Sequence, residues 1–227
     1  MHIISWNCAG KFREKHIALS EYNADIFVIQ ECENPEAVKT NGFEQFLDIY
    51  PYRIWQENAK HKGMGIFSKI PIVKQEWNGS HLSQFVPVTV DNSFVLLAVW
   101  ACNKYIEEYA EYQEINYDKY TDSMIIIGDF NSNAVLDTKK SRHIRGSSHT
   151  AVVGKLASKG LVSAYHYMSG EEQGEESVPT FYMYKHSDKP FHIDYCFINA
   201  DNIKSFSVAG GRWTEYSDHV PILLSTK

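Results

Sequence analysis

Short apolar runs recur along this chain, and several end abruptly on a carboxylate or an amide. Met124 to Gly128 is the plainest case. Ile125, Ile126 and Ile127 are β-branched and unbroken, which predicts a strand buried on both faces. Gly128 is expected to let the backbone turn, leaving Asp129 and Asn131 at the strand's end. The same pattern predicts strands over His2 to Trp6, ending at Asn7, and over Ile26 to Gln30, followed at once by Glu31. Shorter β-prone runs follow at Tyr52 to Gln56, Met64 to Ser68, Phe85 to Val90 and Phe94 to Val99, with Asp91-Asn92 marking a tight hairpin between the last two. Phe181 to Tyr184, Ile193 to Ile198, Ser205 to Ala209 and Val220 to Ser225 complete the strands.

Helices are fewer. Phe12 to Tyr22 places Ile17 and Leu19 among charged residues, the pattern of a surface helix. Asn34-Pro35-Glu36 reads as a helix start with Pro35 at the first helical position. Further helices are expected over Ile106 to Tyr117 and from about Thr150 to Lys159, stopped by Gly160. The polar stretch Ser132 to Ser148 and the acidic stretch Glu171 to Ser177 read as solvated loops. With no linker, repeat or shift in composition, the expectation is one layered α/β domain over residues 1–227, with packed sheets and a few helices.

Composition narrows the chemistry only a little. The formal net charge of -6 gives no overall attraction to nucleic acid or anionic membranes, so any such contact must be local. Two basic clusters are available, Lys60-His61-Lys62 and the run Lys139-Lys140-Ser141-Arg142-His143-Ile144-Arg145. Each is either a solvated loop balancing nearby acids or a rim that grips phosphate. Cys8, Cys32, Cys102 and Cys196 lie in or beside apolar runs without a Cys-x-x-Cys pair, so neither zinc nor disulfides are expected. No apolar run approaches a membrane span, and the N-terminus opens directly into a strand. A reduced, cytoplasmic protein is the expectation.

Five places share one design, an apolar strand flanked by a group able to hold a metal or phosphate. They are Asn7, Glu31, Asp129 with Asn131, Asp194 in His192-Ile193-Asp194-Tyr195, and Asp218-His219 before Val220-Pro221-Ile222. A hard carboxylate oxygen and a neutral amide two positions apart suit a divalent cation or a phosphoryl oxygen. Each residue also has a plainer role: Asn7 and Asn131 as turn formers, Asp129 and Asp218 as caps, Glu31 as an exposed strand-end charge, His219 as a core histidine. His149, in Ser147-Ser148-His149-Thr150, reads as a helix-start residue.

Ser5-Trp6-Asn7, Gln30-Glu31, Gly128-Asp129-Phe130-Asn131, Ile193-Asp194-Tyr195 and Ser217-Asp218-His219 stand in the order found in the endonuclease/exonuclease/phosphatase family, which the chain resembles from Met1 to about Leu224. Gly63-Met64-Gly65-Ile66 and Pro179-Thr180-Phe181 resemble secondary features of that family. The resemblance implies a four-layer α/β sandwich and Mg²⁺- or Mn²⁺-dependent hydrolysis of a phosphate ester. It implies Glu31 as the leading metal ligand, with Asn7 and Asp218 as further ligands or holders of water. His219 would contact the scissile phosphate or move a proton, steadied by Asp194. Asp129 would orient or deprotonate the attacking water, and Asn131 would bond a non-bridging oxygen. Two departures stand out. Ala9 occupies the place where some nuclease members carry an acid, and after Phe94 to Val99, where members often place a His or Tyr that touches phosphate, the sequence runs Val99-Trp100-Ala101-Cys102-Asn103-Lys104-Tyr105, leaving Asn103 or Tyr105 for that role. Three readings remain open: a nuclease, a hydrolase of small or lipid-derived phosphate esters, and a silent binding module of the same fold.

Overall fold

The computed structural model describes residues 1–38, 40–137 and 147–227. Among these, fourteen strands run in chain order: β1 (His2–Asn7), β2 (Ile26–Cys32), β3 (Tyr52–Ala59), β4 (Lys62–Ser68), β5 (Ile72–Lys74), β6 (Phe85–Val90), β7 (Phe94–Trp100), β8 (Ile125–Asp129), β9 (Val162–Ser163), β10 (Phe181–Tyr182), β11 (Pro190–Phe191), β12 (Asp194–Ile198), β13 (Ile203–Val208) and β14 (Ile222–Thr226). They form two six-stranded sheets, ordered β13-β14-β1-β2-β4-β3 and β5-β6-β7-β8-β12-β9, and a small ribbon of β10 and β11. Each large sheet is mixed: β1 pairs parallel with β2, β7 pairs parallel with β8, and the other pairs are antiparallel.

The unbroken apolar strands are explained by burial on both faces. In β1, β2, β7 and β8 alternate residues point to opposite sides, so Ile3, Val28, Ala98 and Ile127 meet between the sheets. Ile4, Phe27 and Ile29 face outward onto a helical layer that includes α1 (Phe12–Lys15) and α2 (Asn41–Ile49). On the far side Leu97, Val99 and Ile126 pack against α3 (Ile106–Ile115) and α4 (His149–Ala157). Helix, sheet, sheet, helix is the four-layer sandwich that the resemblance implied.

Several local expectations need correction. Phe12 to Tyr22 is a single turn of α-helix followed by a 3-10 segment, and it buries Phe12, His16 and Leu19 while Ile17 stays exposed. Asn34 caps only a 3-10 turn, Pro35–Ala37, through Glu36 N at 3.0 Å; the true helix begins at Asn41. Gly128 does not turn the chain. The strand continues to Asp129, and glycine is required because a Cβ there would lie 2.0 Å from the Val99 carbonyl oxygen, at φ +149°. Nor is Glu171 to Ser177 simply solvated. The Glu176 carboxylate is 3% exposed and accepts bonds from His166, Asn133 and the Gly174 amide.

Candidate active site

Topology gathers the polar strand ends at one end of the sandwich. The parallel strands β1 and β2 both finish there, at Asn7 and just past Gln30. In the second sheet, β8 finishes at Asp129, and antiparallel β12 begins opposite it, with Asp194 paired to Asp129. β14 runs antiparallel to β1 with Ile222 opposite Ser5, so the preceding Asp218-His219 lies beside Asn7. Ser217 fixes that approach, its Oγ donating to the Asn7 carbonyl at 2.7 Å and accepting from the His219 amide at 3.2 Å. The ribbon holds the other side. Tyr182 N donates to Asp218 O at 2.7 Å, and Val220 N to Thr180 O at 2.8 Å.

Within this frame Asp129, Asp194 and His219 form one buried cluster, with one ligand-type atom of each lying within 4.8 Å of the others. His219 Nδ1 donates to Asp194 at 2.9 Å, which turns Nε2 toward Asp129 Oδ2 at 3.8 Å. Asp194 is itself aligned, because the amides of Ile193 and Asp194 both donate to Thr180 Oγ1. Asp129 accepts from Asn131 N at 2.9 Å and, on its second oxygen, from Asn131 Nδ2 and Asn7 Nδ2, each at 3.0 Å. The Asn7 contact ties the two sheets together at the site. Beyond it, Asn7 Nδ2 also donates to Glu31 Oε1 at 3.2 Å.

The electrostatics follow from burial. Asp129 is wholly buried, and desolvation raises its pKa to about 7; the His219 charge opposes the rise and the Asp194 charge adds to it. Burial disfavours the charged form of His219 as well, but the facing Asp194 and Asp129 carboxylates prevail and lift its pKa to about 10. Both shifts run the same way, toward holding a proton within the cluster rather than releasing it.

The implied metal set is only partly contiguous. Glu31 and Asn7 touch, whereas the Asp218 carboxylate lies 3.3 Å from Ser217 Oγ, whose proton is directed to the Asn7 carbonyl. The donor chemistry at Glu31 fits a divalent cation: a carboxylate with a partly exposed side chain, beside an amide, that already carries a positive group, Lys62 Nζ, at 2.6 Å. Lys62 thus balances a nearby acid, the first of the two readings given for Lys60-His61-Lys62. The run Lys139 to Arg145 lies outside the described residues. Tyr105 lines a cavity of about 300 Å³ with Asn131, Phe181, Met183, Phe191 and Ile193, and both Tyr105 and Asn103 are exposed. His149 starts α4, as expected, with Nδ1 2.8 Å from Ser132 Oγ.

Gln30, Ser217 and Thr180 were visible as motif neighbours without roles; the structure makes them supports. Gln30 is fully buried and donates to Ser5 Oγ at 2.9 Å. A polar residue continuing a buried strand was the available signal.

Residues 4–219 match the family model described as the Endonuclease/Exonuclease/phosphatase family. The chain belongs to this family. Among solved structures of the same fold, an AP endonuclease from Archaeoglobus fulgidus has TM-score 0.74 and 16% identity, covering 100% of this chain and 99% of its own. The 3′ phosphatase NExo from Neisseria, bound to a product DNA hairpin, has TM-score 0.72 and 17% identity, again over 100% and 99%. The endonuclease domain of TRAS1, a telomere-specific non-LTR retrotransposon, has TM-score 0.66 and 18% identity over 100% and 97%. No curated protein matches the sequence. In this Endonuclease/Exonuclease/phosphatase member, Asp129, His219 and Asp194 form a buried group of two carboxylates and one imidazole at the strand ends. Among the described residues, no helix is long and apolar enough to cross a membrane.

Proposed function

We propose that this chain, as one unit over residues 1–227, is a divalent-metal-dependent phosphodiesterase that hydrolyses phosphate esters in nucleic acid. The observation that carries this reading is the cross-sheet cluster, in which the His219 imidazole, held by Asp194, faces the buried Asp129 carboxylate at 3.8 Å. Asp129 takes the proton of the attacking water. His219 donates to the phosphoryl oxygens as negative charge spreads over them, and Asp194 keeps its Nδ1 engaged so that Nε2 points inward. Asn131, beside Asp129, offers an amide donor to a non-bridging oxygen. Glu31 would hold Mg²⁺ or Mn²⁺, with Asp218 and Asn7 as further ligands or holders of water, Asn7 only once its amide turns, since its Nδ2 faces Glu31 and its Oδ1 accepts from Ala9 N; a bound ion would supply charge neutralisation.

Nucleic acid is favoured over a small ester by the apolar cavity next to Asn131. Phe181, Phe191 and Ile193 offer a face for a sugar or terminal base, and the relatives that share the fold include an AP endonuclease and a 3′ phosphatase bound to DNA. Free thiols at all four cysteines suit a reducing compartment such as the cytoplasm. The test is a metal-dependent screen across DNA, RNA and small phosphate esters, with His219→Ala as the blank. Cleavage of DNA or RNA that requires Mg²⁺ or Mn²⁺ and vanishes in the blank supports the proposal. Turnover of small esters alone moves the substrate to that class, and inactivity on every ester leaves a binding module.

A further inference from the structure

Glu31 is presented to Lys62 by a built feature of the first sheet. Opposite β4, β2 carries one extra residue: Ile29 pairs with Gly65 but Cys32 pairs with Gly63. Glu31 lies in this bulge with a left-handed backbone, φ +59°. Its partner strand closes tightly around the same point. A Cβ on Gly63 would lie 2.2 Å from the Gln56 carbonyl oxygen, and the Asn58 side chain accepts from Met64 N at 3.1 Å, which fixes the hairpin from which Lys62 extends. The Lys62 stem passes Gly10, and its ammonium reaches Glu31 Oε2 at 2.6 Å while Asn7 Nδ2 holds Oε1. Both carboxylate oxygens therefore have protein donors.

We propose that Lys62 is a resident counter-cation of Glu31, which a divalent ion must displace, and that it thereby sets the metal concentration at which the site loads. This rests on the proposed metal role of Glu31. An ammonium and a divalent ion seek the same lone pairs and repel each other, so the Lys62-bound state subtracts from the population able to take metal. The side chain of Lys62 is 44% exposed, so its ammonium can swing into solvent without unfolding the hairpin. Its function at this position is regulatory in the thermodynamic sense: it keeps a strained, half-buried carboxylate neutralised until metal arrives.

The experiment is calorimetric titration of Mn²⁺ into the intact metal-free chain, comparing wild type with Lys62→Met, Lys62→Arg and Glu31→Gln. Lys62→Met keeps the stem and removes the charge. It is expected to bind Mn²⁺ roughly tenfold more tightly, the scale of a partly exposed ion pair plus the repulsion relieved. Lys62→Arg should restore wild-type affinity, and the Mg²⁺ concentration for half-maximal activity should fall in Lys62→Met by the same factor. The melting temperature of the metal-free variant should stay at the wild-type value, which separates this role from a purely structural one. If Lys62→Met folds poorly, Lys62→Gln serves in its place. Unchanged or weaker Mn²⁺ binding on removal of the charge overturns the inference. Mn²⁺ binding that ignores Glu31→Gln overturns the metal reading itself, and the Lys62 inference with it; loss of binding in Glu31→Gln upholds that reading whatever Lys62 does.

Discussion

Replacing Glu176 with glutamine should remove stability only where the carboxylate is charged. Burial works against the charged form, but bonds from His166 Nε2, Asn133 Nδ2 and Gly174 N outweigh it and hold the pKa at about 2, against an ordinary 4.5. A depressed folded pKa contributes stability that is complete above the unfolded value of 4.5 and is lost as pH falls through about 2. At about 1.4 kcal/mol per pH unit, the difference is about 3 kcal/mol at neutral pH. Glutamine cannot replace the interaction. Oε1 accepts from His166 and Gly174 and Oε2 accepts from Asn133, so the new amide must point its NH₂ at a donor on one side. Urea unfolding of wild type and Glu176→Gln at about pH 7 and about pH 3 measures the effect. The gap should be about 3 kcal/mol at the higher pH and shrink steadily below about pH 4.5. A gap of equal size at both values would refute the argument and assign the loss to packing. Because Asn133 Nδ2 also donates to the His192 carbonyl and the Tyr195 hydroxyl, the same substitution loosens the link between the Asn131 loop and the start of β12.

His219→Ala should lower turnover about 10²- to 10⁴-fold with the circular dichroism spectrum unchanged, since it removes the proton-transfer partner of the cluster. Asp194→Asn should leave the fold intact and lower the pKa of His219, read by NMR titration of its ring protons, because the largest favourable charge facing the imidazolium is gone. An unmoved titration would refute the assigned coupling. Gly128→Ala should destabilise the protein by more than about 3 kcal/mol or prevent folding, since its Cβ would meet the Val99 backbone; a soluble variant with a wild-type melting temperature would refute that contact. Asn131→Gly should keep stability within about 1 kcal/mol, because glycine suits the left-handed backbone at φ +46°, while activity falls about 10²-fold with the lost amide.

The layered fold was legible because its central strands are buried on both faces and therefore read as unbroken β-branched runs, as in Ile125-Ile126-Ile127. The site was legible for a related reason: polar groups interrupt those runs at their ends, and topology then brings the ends together. What escaped depends on tertiary partners. α2 carries Phe43, Phe46 and Leu47 at helical spacing, but Pro35 placed the expected start too early, at a segment that makes only one 3-10 turn. Glu176 looked like one more charge in an acidic run, and nothing local distinguishes it from exposed Glu172 or Glu175; His166 and Asn133 do. Gly128 was read as a turn because glycine permits one, whereas the cause is close approach of the neighbouring strand, which no single-strand pattern reveals.

Backbone strain shows the same division between local pattern and site. Among the described residues with left-handed backbones other than glycine, Asn23, Asp91 and Asn92 lie in turns and are the residue types that take this conformation most readily. The others include Ala9 just past β1, Glu31 in the β2 bulge, His61 before Lys62, Tyr105 on the cavity wall and Asn131 just past β8. Apart from Asn131, these gain nothing from their own side chains by adopting it, and each such residue costs on the order of 1 kcal/mol or more. Packing between the two sheets supplies the stability that tolerates them. Ala9, Glu31, Tyr105 and Asn131 lie near the site, whereas His61 lies in the turn between β3 and β4 and Lys11, Tyr184 and Lys185 take the same backbone elsewhere. Periodicity finds the strands because burial repeats along them, but aiming occurs once per strand end and leaves no repeating trace.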